Sequence, residues 1–516
     1  MKKIIAFLLT GILMMSLACT AASASEPIVI NVAIAEEQSS LDNVIQTKDV
    51  ALMLAQNVFE TLYCYDADFN IQPMLAESDE VSEDGLTVTI RLRQGVKFHD
   101  GTEMLAEDVA ASFQRFLSYG VKGKAMAESI DAVECDGDYA IVIRFNKIYS
   151  LWKDMLSWYS GCWYVQPKEI VEAAGENPLT WEQNIGTGPF CFTEYAEGRY
   201  VKMSKFADYC SRTEEPSAAA GKRVVNIDEL YFHIVPDAST RLNGLQAGQY
   251  DYICAMPTDY YEIINGFDGM HTVENASQRC LFLFFNCKSA LFEGNNQLKE
   301  AIATAINMGD AMAAAYGNPE LWSLQTSWFP EGNKYYYEND IAWYNAADPV
   351  KAAELAKEAG YNGEEIRVLV NTSYPAFEAA LTVVIENLRA AGFNVAEERM
   401  DNASLMSKRS DPTQWELFIT HHNFLTMPTA YNPLNPAYAG WWDTAERNAA
   451  VDKLNASTTD EELVAAWREI MDLVTVQIPV VRLGSFTEIY ACSDKLEGVG
   501  NTYYSYPCFW NITKAN

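Results

Sequence analysis

Residues 83–109 read EDGLTVTIRLRQGVKFHDGTEMLAEDV, and this stretch predicts the fold more strongly than any other part of the chain. Val88, Ile90 and Leu92 alternate with polar residues, which predicts a β-strand with one buried face. The His-Asp-Gly sequence at 99–101 contains an Asp-Gly pair, which is typical of a turn. The stretch therefore predicts a strand and a turn that leads into the next element.

The segment after this turn predicts a helix and a second strand. Helical spacing of apolar residues ends at Gly120, and glycine is common at the C-terminus of a helix. The apolar positions of the helix and of the following strand are Val109, Phe113, Phe116 and Leu117, then Tyr139, Ile141, Ile143 and Phe145. This order is a strand, helix and strand unit.

Later helices carry explicit start and stop signals, and strand-like runs lie beside them. These signals are Asp348 with Pro349 before a stop at Gly360, the face Phe377, Leu381, Val384 and Leu388 before a stop at Gly392, and the capping box of Thr459 with Glu462. Alternation between the two periods predicts an α/β chain whose sheets carry helices on their faces.

The same stretch at 83–109 resembles the signature region of the peptide and nickel class of bacterial extracellular solute-binding proteins, family 5. The resemblance extends over nearly the whole chain after its start. The matching segments are GTGPF at 186–190, ADYC at 207–210, LQAGQYD at 245–251, LFFNCKSALF at 283–292, KAAELAKEAGYNG at 351–363, and the closing EGV at 497–499 and FWN at 509–511. The order and spacing of these segments together are specific to that family.

The resemblance implies a type II periplasmic-binding-protein fold, in which two hinged α/β lobes close around a solute and the first lobe carries an extra subdomain. On that pattern lobe I consists of 25–59, 186–275 and 481–516, the extra subdomain of 60–185, and lobe II of 276–480. Hinge strands are expected near 280–286 and 479–482. The resemblance also implies partners: a small, peptide-like solute and the permease subunits of an ABC importer, with the protein itself a monomer.

The N-terminus predicts export from the cytoplasm. Lys2 and Lys3 precede an apolar run, and Ala22-Ser23-Ala24 suits signal peptidase, so residues 1–24 read as a signal peptide. The run is too short to span a bilayer. Cys19, after Ser16-Leu17-Ala18, also fits a lipoprotein box with Ser where Leu is usual. Cleavage after Ala24 and a lipid anchor at Cys19 both stay open, and each places the protein outside the cytoplasm.

Charge and cysteine spacing exclude several classes of function. The formal net charge of -33 repels nucleic acid and anionic lipid, and its even spread along the chain suits a solvated surface. No CxxC pair or Cys/His cluster with metal spacing occurs, so neither a zinc site nor another cofactor is expected. Disulfides among the cysteines cannot be assigned from spacing.

The histidines are weighed against catalytic and metal roles. His99 belongs to the Asp-Gly turn and is left out of the site. His421 and His422 follow a strand-like run, where neighbours point to opposite faces, so at most one would face a cleft. Without a carboxylate at ligand spacing we expect no metal. We expect instead a hydrogen-bonding role toward an organic solute, because the segment of His421 and His422 aligns with the family's ligand-contacting loop, and both residues are kept as candidates.

The chain is not expected to be an enzyme. It has no nucleophile elbow, no HExxH and no glycine-rich phosphate loop, and nothing selects two of its many acids as a glycosidase pair. A secreted hydrolase and a chaperone-like surface protein remain the alternatives from other classes. A binder of a nickel chelate or another solute is the alternative within the family.

Residues at predicted strand ends form the candidate ligand site, because ligands of open α/β sheets bind there. Two tryptophans are added because rings supply large contact areas, and Arg482 is a candidate for a ligand carboxylate. The candidate residues are Glu37, Gln38, Ser39, Trp163, Asn286, Trp328, His421, His422, Asn423 and Arg482.

One departure from the family bears on the solute. Peptide-binding members carry an Asp in the loop after the strand that here ends at Thr420, and it pairs with the peptide's amino group; Leu425 takes that place in this chain. No acid occurs between Glu416 and Asp443. Either an acid such as Glu36 or Glu37 meets the amine from the other lobe, or the ligand is a modified peptide, a short peptide held differently, or another small organic solute.

Overall fold

The computed structural model describes most of the chain beyond its first 25 residues. The described ranges are 26–45, 48–157, 163–274, 279–423, 425–500 and 506–515. The signal sequence and Cys19 therefore lie outside the described residues. No helix of the described ranges is long and apolar enough to cross a membrane. Their nine cysteines are free thiols.

The strands of the described residues group into three larger sheets and two small ribbons. Their bounds in chain order are β1 Val29–Ile34, β2 Tyr63–Tyr65, β3 Ile71–Pro73, β4 Ala76–Val81, β5 Thr87–Leu92, β6 Ile130–Cys135, β7 Ala140–Phe145, β8 Phe190–Ala196, β9 Tyr200–Lys205, β10 Glu229–Ile234, β11 Tyr252–Met256, β12 Met270–Glu274, β13 Arg279–Phe285, β14 Trp322–Ser323, β15 Ile366–Asn371, β16 Val395–Met400, β17 Leu417–His422, β18 Val480–Phe486, β19 Ile489–Ser493, β20 Leu496–Glu497 and β21 Thr513–Lys514.

The α-helices of the described residues lie between these strands along the chain. Their bounds are α1 Asp49–Val58, α2 Ala106–Tyr119, α3 Val121–Ala127, α4 Trp152–Met155, α5 Lys168–Ala174, α6 Ala238–Gln246, α7 Tyr261–Asn265, α8 Asn296–Ala305, α9 Met308–Tyr316, α10 Pro349–Glu358, α11 Pro375–Ala390, α12 Asn402–Arg409, α13 Ala445–Asn455 and α14 Asp460–Gln477.

The elements expected around 83–145 are present. In β5, Val88, Ile90 and Leu92 are buried while Arg91 is exposed, as alternation requires. Helix α2 ends before Gly120. Strands β5 and β7 are antiparallel neighbours in a four-stranded sheet of order β4-β5-β7-β6. We call this the third sheet.

The predicted helix ends are also confirmed. The Asp348 carboxylate accepts from the backbone N–H groups of Val350 and Lys351, and Pro349 begins α10. Thr459 and Glu462 form the reciprocal capping box of α14. Helices α10 and α11 are followed by Gly360 and Gly392, both with positive φ, where a side chain would strain the backbone.

The two largest sheets are mixed. The first sheet has the order β12-β19-β11-β1-β10-β9-β8, with β1 parallel to both β10 and β11. The second sheet has the order β14-β18-β13-β17-β15-β16, with β15 parallel to β16 and β17 and the other pairs antiparallel. In β13 one face packs on helices through Leu281 and Leu283, and the other packs on aromatic rings through Phe282 and Phe284. Each such buried side chain contributes about 1.5–3 kcal/mol.

Sheet membership follows the predicted lobes with one difference. All strands of the first sheet lie in the ranges proposed for lobe I, and those of the third sheet in the subdomain range. Strand β18 pairs with β13 from Val480 to Phe486, so the chain leaves the second sheet after Phe486 and not at residue 481. The proposed hinge strands β13 and β18 are thus neighbours within the second sheet, and the lobe boundaries stay a prediction.

Candidate functional site

A charged network lies where the chain crosses between the first and second sheets. Arg279 begins β13 after one crossing, and Glu488 lies on the other crossing, between β18 and β19. The Arg279 guanidinium donates to Asp49 at the start of α1 (Nη2–Oδ2 2.8 Å) and pairs with Glu488 (Nη1–Oε1 2.9 Å). Two carboxylates therefore hold one buried guanidinium.

Asp49 also joins α1 to the end of β17. Its Oδ1 accepts from the Asn423 side-chain amide (3.1 Å) and from the Tyr506 hydroxyl (2.8 Å). Burial opposes ionisation, but the charge of Arg279 and these hydrogen bonds outweigh it and lower the pKa of Asp49. Burial raises the pKa of Glu488. Asp49 keeps a side-chain exposure of 37%, so this carboxylate is still accessible.

The two adjacent histidines contact opposite faces of the second sheet, as the strand geometry predicts. His421 packs against Phe377 (ring centroids 5.3 Å) and His422 against Phe282 (5.6 Å). Burial, with help from the charge of Arg279, lowers the pKa of His421 to about 4. Burial lowers the pKa of His422 to about 3. Both rings are neutral at pH 7, and no cluster of metal-ligating side chains occurs in the described ranges.

His421 lines a pocket at the carboxyl ends of β15 and β17. The pocket encloses about 380 Å³, part of it open to solvent. Because the two strands are parallel neighbours, their ends meet at one edge of the sheet. The lining residues are Asn371, Tyr374, Phe377, Asn402, Leu405, Met406, Arg409, Ile419, Thr420 and His421. None of these side chains is a carboxylate, so the pocket itself offers no negative charge.

The loop after β1 holds three candidate residues in different surroundings. Glu37 is exposed and accepts from the Tyr195 hydroxyl (2.6 Å) and the Gly198 N–H (2.7 Å), and these two bonds lower its pKa. Gln38 is 3% exposed, and neither polar atom of its amide has a hydrogen-bond partner among the residues that the structure describes. Ser39 is exposed. The loop therefore presents one buried, unsatisfied amide beside two accessible side chains.

A buried ion pair holds the same loop in place. Asp42 and Arg115 form two parallel hydrogen bonds (3.0 and 2.7 Å), and the Asp42 carboxylate also accepts from the Leu179 N–H. Neither side chain is more than 4% exposed. Such a bidentate pair fixes geometry as well as charge, so the loop after β1 is anchored to α2, in the range proposed for the extra subdomain.

Asn286 and Arg482 lie inside the structure. Asn286 is fully buried, and its amide donates to the carbonyl oxygens of Pro412 and Trp415, both at 2.7 Å. Arg482 is 4% exposed and donates to the Ser485 hydroxyl. Neither side chain offers a free surface to the cleft in this conformation, so their roles as ligand contacts stay predictions.

The two candidate tryptophans are also buried. Trp163 has no exposed surface; its indole donates to the Met155 carbonyl (2.9 Å), and its ring packs on Phe113. Trp328 is 2% exposed and packs with Phe282 and Tyr431, in the same ring cluster as His422. A solute would reach either ring only if its cluster opened, and their place in the site stays a prediction.

His99 joins two of the sequence motifs structurally. Its Nδ1 accepts from the Gly186 N–H (3.2 Å), and its Nε2–H donates to the Gly188 carbonyl (3.0 Å). Gly101 closes the turn at φ +90°. Burial lowers the pKa of His99 to about 4, so the ring is neutral and both nitrogens are used. The HDG sequence therefore packs against GTGPF.

Comparison with known families decides the class. The sequence model of the bacterial extracellular solute-binding proteins, family 5, matches residues 70–444, which is well over half of the chain. The chain belongs to this family. It is a solute-binding protein that acts outside the cytoplasm, and its family is one of transport proteins rather than enzymes.

Two relatives of this family 5 protein are similar to it along almost their whole length. A probable peptide ABC transporter periplasmic-binding protein of Sinorhizobium fredii is 29% identical over 502 residues, covering 93% of this chain and 92% of the relative. The oligopeptide-binding protein AppA of Bacillus subtilis, solved with a nonapeptide, superposes with a TM-score of 0.76 at 20% identity, covering 95% of this chain and 100% of AppA.

A second solved structure shows the same fold with another kind of ligand. The binding protein AgaA of A. tumefaciens R10, solved with agropinic acid, has a TM-score of 0.76 at 24% identity and covers 95% of this chain and 99% of its own. This family 5 protein therefore has the type II periplasmic-binding-protein fold that its sequence predicts.

Several residues of the solute-binding protein's candidate site cannot be recognised as site residues from the sequence. Asp49, Arg279 and Glu488 are far apart in the sequence, and acids are too common in this chain for any one to stand out. Arg409 lines the pocket, donates to the Tyr438 hydroxyl (3.0 Å) and shows no acidic partner in the described ranges. Only the fold brings these groups to the end of β17.

Proposed function

We propose that the protein captures a peptide or a similar small organic solute between its two lobes and presents it, as a monomer, to the permease subunits of an ABC importer. The observation that carries this proposal is the family match over residues 70–444. The peptide transporter relative that aligns with 93% of the chain supports both the solute class and the importer.

The geometry of the candidate site supports capture between lobes. Asn423, at the end of β17 in lobe II, contacts Asp49, on α1 in lobe I. Polar atoms that lack a hydrogen-bond partner within the described part of the chain lie on both sides: the Gln38 amide, His421 Nδ1 and Asn423 Oδ1. An unsatisfied buried polar group costs about 1–3 kcal/mol, which a solute recovers when it supplies the missing partner.

The charge of the site favours a solute other than an ordinary free-amine peptide. The pocket beside His421 has no acidic lining residue, Glu37 is bonded to Tyr195 and Gly198, and Asp49 is paired with Arg279. An ammonium group taken from water without a counter-charge costs several kcal/mol. We therefore favour a modified peptide, a short peptide held differently, or another small organic solute.

Screening matched peptide libraries tests the proposal. The protein, first unfolded and refolded to remove carried-over ligand, is offered free tripeptides and the same tripeptides N-acetylated, and retained species are identified by native mass spectrometry. A solute that binds only the folded state raises its stability by about 2.7 kcal/mol at a hundredfold excess over the dissociation constant, which a thermal shift detects.

The two libraries separate the outcomes. Retention of either set supports peptide capture, and retention of the acetylated set supports the modified-solute preference. If the free set binds tightly and acetylation abolishes that binding, the protein recognises a free amine even though Leu425 stands where peptide-binding members carry an Asp. No retention from either set, together with no thermal shift, would overturn peptide capture.

Attachment to the membrane is a separate part of the proposal. Cleavage after Ala24 releases a soluble chain, whereas acylation at Cys19 leaves an anchored one, and both stay open. Mass spectrometry of the mature N-terminus from the producing cell distinguishes them. If Cys19 is acylated, we expect Cys19→Ser to shift the protein from the membrane fraction to the soluble fraction; an unchanged distribution would favour cleavage after Ala24.

A further inference from the structure

We propose that His421 donates a hydrogen bond from Nδ1–H to an acceptor oxygen of the solute, a carbonyl or carboxylate, and that Arg279 is the positioning residue that sets this tautomer. The proposal deepens the proposed function, on which its ligand rests. It assigns the end of the solute that meets lobe II.

The contact between the two side chains decides the direction of the hydrogen bond. Arg279 Nη1 lies 3.4 Å from His421 Nε2. A guanidinium has only donors, so Nε2 must accept with its lone pair. A neutral imidazole carries one proton, which must then lie on Nδ1.

The network around Arg279 keeps this contact in place. Asp49 and Glu488 bind its two terminal nitrogens at 2.8 and 2.9 Å, and Arg279 is 8% exposed. The guanidinium is therefore fixed in orientation by groups from α1 and from the crossing between β18 and β19. Its charge also disfavours the imidazolium form of His421 and leaves no free lone pair on Nε2 for a metal ion.

The Nδ1–H group then remains for the solute. His421 Nδ1 is buried and has no hydrogen-bond partner in the described ranges, and His421 lines the pocket of about 380 Å³. A donor in a pocket without carboxylates recognises an acceptor. An ammonium group would instead bring another donor to the same place, so we assign the pocket to the oxygen-bearing end of the solute.

The tautomer is measured on the protein without solute. In protein labelled with 15N-histidine, long-range 1H–15N spectra distinguish Nδ1–H from Nε2–H rings, and the signal missing in His421→Gln identifies His421 among the chain's five histidines. We expect the Nδ1–H form at pH 7. Finding the Nε2–H form would overturn the proposal and leave solute capture untouched.

Two substitutions at His421 test the use of that proton. The Asn side-chain amide places its nitrogen near the position of His Nδ1, whereas the Gln amide reaches the position of Nε2. With the most tightly retained tripeptide of the two libraries as probe, we expect His421→Asn to bind within about threefold of wild type and His421→Gln to lose about ten- to a hundredfold. Equal binding by both variants, or a larger loss in His421→Asn, would overturn the proposal.

Arg279 is tested by its effect on the ring. Arg279→Met removes the donor, and we expect the Nε2–H form of His421 to appear in the same spectra; an unchanged Nδ1–H signal in a folded variant would overturn its positioning role. If Arg279→Met does not fold, the Arg279→Gln variant answers the question, because its neutral amide can either donate or accept and both tautomers of His421 should then appear; an Nδ1–H signal alone would overturn the positioning role. If no tripeptide is retained by wild type, solute capture and the solute role of His421 fall together, while the tautomer measurement still decides the role of Arg279.

Discussion

At the scale of single residues, Asn286 belongs to a family motif, and its side chain stabilises the fold through hydrogen bonds. Its amide bridges the carbonyl oxygens of Pro412 and Trp415 and holds the segment that leads into β17. Asn286→Ala leaves the buried Trp415 carbonyl and the partly buried Pro412 carbonyl without this donor, and we expect the free energy of unfolding to fall by about 1–3 kcal/mol. Urea unfolding followed by tryptophan fluorescence measures it.

A matched substitution separates this effect from a general cost of mutation. Asn243 is exposed on α6, and Asn243→Ala is expected to change stability by less than about 0.5 kcal/mol. Loss of solute binding by Asn286→Ala with an unchanged melting temperature would instead make Asn286 a ligand contact, as the sequence motif predicts.

His422 predicts a dependence of stability on pH. Burial, with the charges of His421 and Arg409, lowers its pKa to about 3, whereas an exposed histidine in the unfolded chain titrates near 6.5. Between these values the unfolded state binds the proton and the folded state does not, so stability falls as pH falls, by about 1.4 kcal/mol per pH unit for this one group.

Replacing the ring isolates that contribution. A phenylalanine fits the surrounding cluster of Phe282, Phe284, Tyr431 and Tyr438, so His422→Phe should fold. We expect its free energy of unfolding, measured by urea titration between pH 6 and pH 4, to decline less steeply than that of wild type by about 1.4 kcal/mol per pH unit. Parallel curves would mean that His422 titrates normally in the folded protein.

At the scale of elements, the GTGPF segment must approach the end of α1 closely. A Cβ atom added at Gly186 would lie 2.3 Å from the Val58 carbonyl oxygen, and one at Gly188 would lie 2.6 Å from the Val58 carbonyl carbon. Backbone atoms cannot yield as a flexible side chain can. The two glycines therefore allow β8 to start against α1, where His99 fastens them to the turn at 99–101.

Gly186→Ala tests this packing. We expect it to lower the free energy of unfolding by about 1–3 kcal/mol, the usual cost of overfilling a packed site. Gly309→Ala in α9 is the control: its Cβ would meet nothing closer than 3.5 Å, and alanine stabilises a helix by up to about 1 kcal/mol relative to glycine. Equal stability of the two variants in chemical denaturation would show that the approach to Val58 relaxes freely.

At the scale of the whole molecule, the first and second sheets are connected through the network of Asp49, Arg279, Glu488 and Asn423. Asp49 on α1 contacts Asn423 after β17 and Arg279 at a crossing. The Ser150 hydroxyl, in the range assigned to the extra subdomain, donates to the Asn455 carbonyl at the end of α13, in the range assigned to lobe II (2.9 Å). These contacts link ranges assigned to different lobes, so we expect them to favour the closed arrangement.

Asp49→Asn tests that expectation. Loss of the carboxylate removes the ion pair with Arg279, and we expect the variant without solute to populate a more open form, seen as a larger radius of gyration in small-angle X-ray scattering. Asp208→Asn, which disrupts an exposed pair with Lys97, is the matched control and should scatter like wild type. Identical scattering by all three proteins would show that the Asp49 network does not control closure.

Local patterns in the sequence determined the α/β class, the helix caps at Asp348 and Thr459, and the strand alternation around Ile90. They also placed His421 and His422 on opposite faces, because strand geometry is a property of neighbouring residues. The family, and with it the fold and solute binding, followed from motifs whose order is written along the chain. These features depend on residues close in sequence or on their linear order.

Only the tertiary structure decided which side chains meet. Asn286, Trp163 and Trp328 have the residue types of a binding site, yet packing buries them in hydrogen-bonded or aromatic clusters. Asp49, Arg279 and Glu488 are separated by more than two hundred residues and meet because the chain crosses between the sheets at their positions. Burial and long-range pairing arise from the fold of the whole chain, so no local pattern of residues records them.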